Sequence, residues 1–301
     1  MEASQMATSI TTSFVQEYMT DLHHVFQREG SMLKDTVFLK DGIVGSTAHF
    51  QKLGTGTATT KSRHGEITPM NVTHTAPSVA LADFYAGEWS DSLDEAKVNI
   101  DVRLAYAKSG AMALGRKVDS QITTVLDSTT QSTVTLAVTS SAAIQAGLIS
   151  MVEALDANSV PNDGQRYGVL TPRAYAQAMT VESFASSDYV GANGLPFGEG
   201  IPGHRKMRDW LGVKWGMLPA LPGQGTSTAK CFVYHKNAVG YAIQKADRNV
   251  SGGENVSADI TWHGDRAAYF INHMMSGAAV MIDDTGVIEA NLNDTTAIAT
   301  S

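Results

Sequence analysis

The sequence predicts an α+β protein, with its long helices and its sheet strands in separate stretches of chain. Three observations carry this. Ile100, Leu104, Ala107, Ala111, Leu114, Val118, Ile122 and Val125 form one apolar stripe at intervals of three and four, the period of a helix. A closing block, Val256 to Ile288, alternates or runs apolar in the manner of strands. Between residues 45 and 81 lies a long Gly- and Thr-rich stretch with no apolar face of its own, which reads as a projecting hairpin rather than a loop inside a compact domain.

The elements follow in order. Apolar residues at Phe14, Val15, Tyr18, Met19, Leu22, Val25 and Phe26 predict a first helix over Thr12 to Arg28, ended by Gly30. His23 and His24 fall in it. Adjacent helical residues point about 100° apart, so they do not chelate one metal together. Val37 to Val44 holds two short apolar runs around Asp41-Gly42, a hairpin signal. Val79 to Ala86 predicts a strand with Val79, Leu81 and Tyr85 on one side. Ser92 and Glu95 make a capping box that opens the long helix, and its stripe spans about 37 Å. Gly110 and Gly115 interrupt it, which predicts a bend or a close crossing. A helix over Ala142 to Ala157 follows from Ile144, Leu148, Met151 and Leu155. Tyr167 to Leu170 reads as a strand, and Thr171-Pro172 as the N-cap and first residue of another helix. Val190 to Gly203 reads as an irregular loop, and Trp210 to Leu218 as a strand. Lys230 to Tyr234 reads as a buried strand followed by a short helix to about Gln244. Val256 to Trp262, Ala267 to Met275 and Gly277 to Ile282 read as strands. Asp283 to Gly286 is a turn.

Composition narrows the function. Charged residues make up 17% of the chain, against about 25% in a typical globular domain. A polar surface with so few charges suits burial against other chains. Lys and Arg number 22 against 30 Asp and Glu, a net charge of −8, which argues against a dedicated nucleic-acid binder. One cysteine, Cys231, excludes an intrachain disulfide framework and a Cys-rich zinc site and fits a cytosolic habit. No apolar run approaches the length of a membrane span, and the first ten residues lack the regions of a secretory leader. The sequons at Asn71 and Asn255 then carry no sugar.

No catalytic pattern holds. Lys61-Ser62 follows a Gly-rich stretch, but Thr60 stands where a phosphate loop needs glycine. Gly54-Thr55-Gly56 and Gly223-Gln224-Gly225 lack the third glycine of a dinucleotide loop. There is no Gly-x-Ser-x-Gly and no His-Glu-x-x-His. His263-Gly264-Asp265 reads as a turn, and Asp283-Asp284 as a solvated turn without calcium-loop spacing. An enzyme with its site in the 190–228 loops would have Glu199, His204 and Asp209 to work with, but no nucleophile and base at readable spacing. The expectation is therefore no enzyme, no cofactor and no metal. His204-Arg205-Lys206-Met207-Arg208 is the most basic cluster.

The order of elements, with the long helix over Ser92 to Ser128, Tyr167 to Tyr175 and Asp259 to Ile288, resembles the major capsid protein of tailed bacteriophages. The resemblance spans nearly the whole chain. It implies an N-arm (1–35), an E-loop with flanking strands (36–88), a P-domain with its spine helix (89–140 and 246–301) and an A-domain (141–245). It further implies self-assembly as hexamers and pentamers into an icosahedral shell around double-stranded DNA. The chain would be part of the virion, assembled in the host bacterial cytoplasm. Expected partners are a separate scaffolding protein, since no long helical extension precedes the N-arm, a portal, and decoration proteins. An encapsulin-like nanocompartment shell, which shares the fold, is the alternative. Lys61, Arg63 and His64 near the hairpin tip, and Arg205, Lys206 and Arg208, are the candidate contacts between subunits.

Overall fold

Two six-stranded sheets and one long helix organise the chain. The computed structural model describes residues 30–93, 102–185, 207–244, 252–253 and 256–298. The expected helix at 12–28 and the loop at 190–203 lie outside the described residues.

The first sheet contains β1 (Phe38–Ile43), β6 (Ala82–Asp91), β12 (Val239–Gln244), β13 (Gly252–Gly253), β14 (Val256–His263) and β15 (Ala268–Met281). Its axis is β15, fourteen residues long, paired antiparallel with β6, β12 and β14. Sequence reading divides β15 at Ser276. The chain runs straight through, because β6 pairs with it without a break from Ala268 to Gly277. Two further expectations are corrected in this sheet. Asp41-Gly42 makes no hairpin: β1 continues through it, parallel to β12, and Gly42 takes φ +65° where the register shifts between Lys40 and Ile43. A bulge uses the same left-handed glycine that a tight turn does. Residues 239–244 are strand β12 rather than helix, since β1 and β15 hydrogen-bond to it from either side.

The second sheet has the order β7-β16-β11-β8-β10-β9, built from β7 (Val134–Leu136), β8 (Arg166–Leu170), β9 (Arg208–Trp210), β10 (Val213–Met217), β11 (Ala229–His235) and β16 (Val287–Leu292). The expected strand at 210–218 is a hairpin, β9 and β10 turning at Leu211-Gly212, both at positive φ. Against this sheet pack α2 (Ser141–Ala157) and α3 (Pro172–Ala178), beside the single-turn α4 (Glu182–Ala185), counting the long helix as α1 (Val102–Leu126). Ile144, Leu148, Met151 and Leu155 of α2 are all buried, as their spacing demands. Thr171 caps α3 by accepting from the Ala174 N–H, with Pro172 in the first turn, as expected. Trp215 lies flat on Gly168 in this core: a Cβ there would meet its ring at 2.4 Å.

The helix α1 crosses β15 and β6. Leu114, Val118, Ile122 and Leu126 face the core they share with Val239, Tyr241 and Met275. The stripe holds in its C-terminal half. Further up, Ala111 is exposed and Met112 is buried in its place. A single-face helix must cover an apolar surface, and the sequence predicts that surface to be built partly by Gly277 to Ile282 and Ile260 to Trp262; Ile260 and Trp262 instead remain about half exposed. The two helix glycines are close crossings. A Cβ on Gly110 would lie 2.6 Å from His273 Nδ1, and one on Gly115 would lie 2.5 Å from the backbone of Gly30. At the start of the helical region, Asp91 accepts from the Leu93 N–H, while Glu95 lies outside the described residues. Buried Asp119 ties residues 31–33 to α1, accepting from Ser31 Oγ and the Met32 and Leu33 N–H groups.

Candidate functional site

Among the described residues, the outer part of the segment between β1 and β6 is not held by the core. The segment's strands β2 (Thr47–His49) and β5 (Ser78–Ala80), then β3 (Lys52–Leu53) and β4 (His74–Thr75), zip into a narrow antiparallel ribbon. The base is anchored. Ala48 and Phe50 are buried with Ile43 and Ala242, and Phe50 lies against Gly240, where a Cβ would be 2.6 Å from its ring. Val79 and Leu81 pack there too. The alternation then slips by one: Phe84 and Ala86 face the helix core, and Tyr85, expected beside Val79 and Leu81, is exposed.

Lys52 Nζ lies 2.8 Å from Asp283 Oδ1 and tethers the ribbon to the turn before β16. Burial alone would raise the Asp283 pKa. The hydrogen bonds from Lys52 and Thr285 outweigh it and hold the carboxyl below its ordinary value. Beyond Leu53 the ribbon has few internal ties, Gly54 N–H to Thr73 O and Thr59 Oγ1 to Thr68 O among them. Ile67 and Met70 are exposed. Lys61, Arg63 and His64 are all exposed in and beside the turn closed by the Gly65 N–H on Ser62 O. The sequence brings these three together at a tip.

The second basic cluster is different. Arg205 and Lys206 lie outside the described residues, as do Glu199 and His204, while Asp209 is exposed on β9. Arg208 is buried within the subunit. One terminal nitrogen donates to Ala185 O, another lies 3.4 Å from Met179 Sδ, and the guanidinium sits 5.2 Å from the Phe184 ring centre.

The chemistry weighed from sequence resolves into scaffolding. Asp284 is no solvated turn residue: its carboxylate accepts from Thr129 Oγ1, from the Thr130 N–H and hydroxyl, and from Gln131 Nε2. Burial would raise its pKa, but those bonds prevail and lower it. A carboxyl depressed in this way contributes stability that is fully present above its unfolded pKa, about 3.9, and is lost as pH falls through the folded value. Asp284→Asn is therefore expected to lower the urea midpoint at pH 7 and to match the parent once both are fully acidified. Equal midpoints at pH 7 would show that the clamp contributes nothing. His263 Nδ1 and Asp265 Oδ1 are 4.0 Å apart on an exposed turn. Buried Cys231 has its thiol pushed up to about 12, mainly by burial, which suppresses the reactive thiolate. Among the described residues no cluster of His, Cys, Asp and Glu is placed to hold a metal, and no helix is long and apolar enough to cross a membrane.

Sequence reasoning missed the Lys52–Asp283 tether, the Asp119 clip and the burial of Arg166. The Arg166 guanidinium bonds Asp156 Oδ1 and the carbonyls of Val160 and Pro161. The first two join residues far apart in the chain, and no local signal marks them.

Comparison with known proteins places this architecture. A family model described as "Phage capsid protein" matches residues 10–293. The capsid protein in the structure of the cyanophage P-SCSP1u superposes with a TM-score of 0.71 at 16% identity, over 96% of each chain. A chain in a structure of Mycobacterium phage Che8 gives 0.64 at 18% identity, over 94% of this chain and 98% of that one. A virus-like particle from Pyrococcus furiosus gives 0.54 at 9% identity, over 87% and 92%. At such identities the likeness is one of fold. No curated protein matches the sequence significantly. A family match over nearly the whole chain has one conclusion, which the shared fold supports: the chain belongs to the phage capsid protein family, as a structural shell protein and not an enzyme.

Proposed function

We propose that this chain is the major capsid protein of a tailed phage, forming hexamers and pentamers that close into an icosahedral head around double-stranded DNA. The exposed ribbon carries the reading. Its base is fixed in the subunit core, and its outer half from Gly54 to Thr73 has no apolar core to fold on. Such a segment is stable in a fixed shape only against another surface, and a shell supplies that surface as the next subunit. In this reading residues 36–88 are the E-loop with its flanking strands, and α1 lies in the spine of a P-domain made of 89–140 and 246–301. Residues 1–35 form the N-arm and 141–245 the A-domain. A separate scaffolding protein, a portal and decoration proteins are its partners, with assembly in the bacterial cytoplasm. The net charge of −8 suits a wall that encloses DNA without gripping it, since like charges keep packaged DNA mobile.

The test is deletion of Gly54 to Gly65. The variant is expected to yield a folded subunit, with the parent's melting behaviour, that forms no shells in negative-stain images. Normal shells would refute the role of the ribbon. Lys61→Glu with Arg63→Glu gives a milder result. Each exposed ion pair contributes about 0–1 kcal/mol but repeats around the whole shell. The double variant should assemble more slowly by light scattering at low salt, with the difference shrinking as salt screens the charges. Unchanged rates at low salt would remove these two residues from the contact. A nanocompartment shell would instead form around protein cargo and take up no DNA.

A further inference from the structure

Sheet edges offer backbone N–H and C=O groups to any strand that meets them, and proteins ordinarily blunt them with short strands, bulges, lysine or proline. Among the described residues, β7 and β9 end their sheet with three residues each, and β1 carries the bulge at Asp41-Gly42. β13 pairs only with Val256 and Ser257 of β14, which leaves Ala258 to His263 as a shorter open edge. The longest open edge is β6. β6 is ten residues long, about 33 Å. It pairs with β15 in unbroken register from Ala82 to Asp91 and, among the described residues, with nothing on its other side. It contains no proline, lysine or arginine. Asp83, Glu88 and Asp91 give it three negative charges and no positive one, and Ala82, Asp83, Tyr85, Gly87 and Glu88 are exposed.

The counterpart lies in the same chain. Residues 54–64 carry Lys61, Arg63 and His64 and no carboxylate, with Thr55, Thr57, Thr59 and Thr60 favouring extended backbone. They lie in no strand among the described residues, and the nine residues 54–62 that precede the turn at Arg63-His64 would span about 30 Å when extended, close to the length of β6. Only Leu81 separates β5 from β6, so the ribbon runs on beyond the end of its own β6. Its tip can cover such an edge only in another copy.

We infer that residues 54–64 of one subunit add as a strand to the open edge of β6 in a second copy of this chain. This rests on the reading that the ribbon reaches a neighbour, and it names the surface reached. The pairing is backbone hydrogen bonding, and the opposite charges set which way the strand lies. Alternate β6 amides that face water in the free subunit become ladder donors in the shell.

Hydrogen exchange by mass spectrometry on free subunits and assembled shells tests it. Peptides covering 82–91 and 54–64 should both slow by at least about tenfold on assembly. If 82–91 exchanges equally fast in wild-type shells while the 54–65 deletion still blocks assembly, the ribbon reading stands and this inference fails. If the deletion assembles normally, the reading itself fails. A second arm identifies the occupant. Asp83→Lys with Glu88→Lys should slow assembly severalfold, and adding Lys61→Glu with Arg63→Glu to the same chain should restore the rate. Protection of 82–91 that appears only when another phage protein is added would overturn the assignment to a second copy, as would absence of restoration in the four-fold variant while its melting matches the parent.

Discussion

Leu114→Asp is expected to abolish the folded subunit. Leu114 is 4% exposed and packs with Val118, Ile122, Tyr241 and Met275. A carboxylate placed there has no cation in that apolar layer, and an uncompensated buried charge costs about 3–5 kcal/mol. That is a large share of the roughly 5–15 kcal/mol by which a domain is stable. Three residues along, the same change is expected to be tolerated. Lys117 is exposed, with its ammonium 4.9 Å from the centre of the Phe84 ring. Lys117→Asp forfeits that contact and little else. Soluble yield and thermal melting of the two variants, side by side, make the comparison. Equal behaviour would mean that the buried face of α1 has been assigned wrongly.

Trp215→Ala is expected to cost nearly as much, by leaving a hole rather than a charge. Trp215 is wholly buried, stacked on Gly168, with its indole N–H donating to Trp210 O at 3.1 Å. Truncating a buried aromatic to alanine costs about 3–5 kcal/mol. Gly168→Ala attacks the same contact from the other side. Its new methyl meets a ring pinned between the sheet and α3, so about 1–3 kcal/mol of overpacking is expected. Urea denaturation of the second sheet, followed by tryptophan fluorescence, gives both values. A midpoint unmoved by Trp215→Ala would mean that the β8–β10 core does not limit stability.

What was legible in the sequence is what local chemistry decides. Thr171-Pro172 specifies a helix start by its own atoms. The spacing of Ile144, Leu148, Met151 and Leu155 specifies the buried face of α2. The lower half of α1 is equally plain. The misreadings have one cause, which is pairing with distant chain. Asp41-Gly42 suits a hairpin turn or a bulge, and β12, two hundred residues later, selects the bulge. Residues 239–244 are extended because β1 and β15 hold them from both sides. Ala111 and Met112 exchange places because their burial depends on what α1 crosses. Among the candidate contacts, the exposure of Lys61, Arg63 and His64 followed from a stretch with no apolar face of its own. The burial of Arg208 did not, because Phe184, Met179 and Ala185 come from a different part of the chain.

The place of β16 in the second sheet sets a timetable. This strand lies between β7 and β11, yet it is the last of the six to leave the ribosome. β7, made about 150 residues earlier, has no neighbour in its sheet until residues 287–292 arrive. The sheet therefore cannot close during synthesis of most of the chain, and contacts so distant in sequence make for slow folding. A nascent chain lacking β16 has an incomplete wall on its α/β side, with β7 still unpaired. The topology thus makes the closing of this wall wait on residues 287–292, however early its other strands are made.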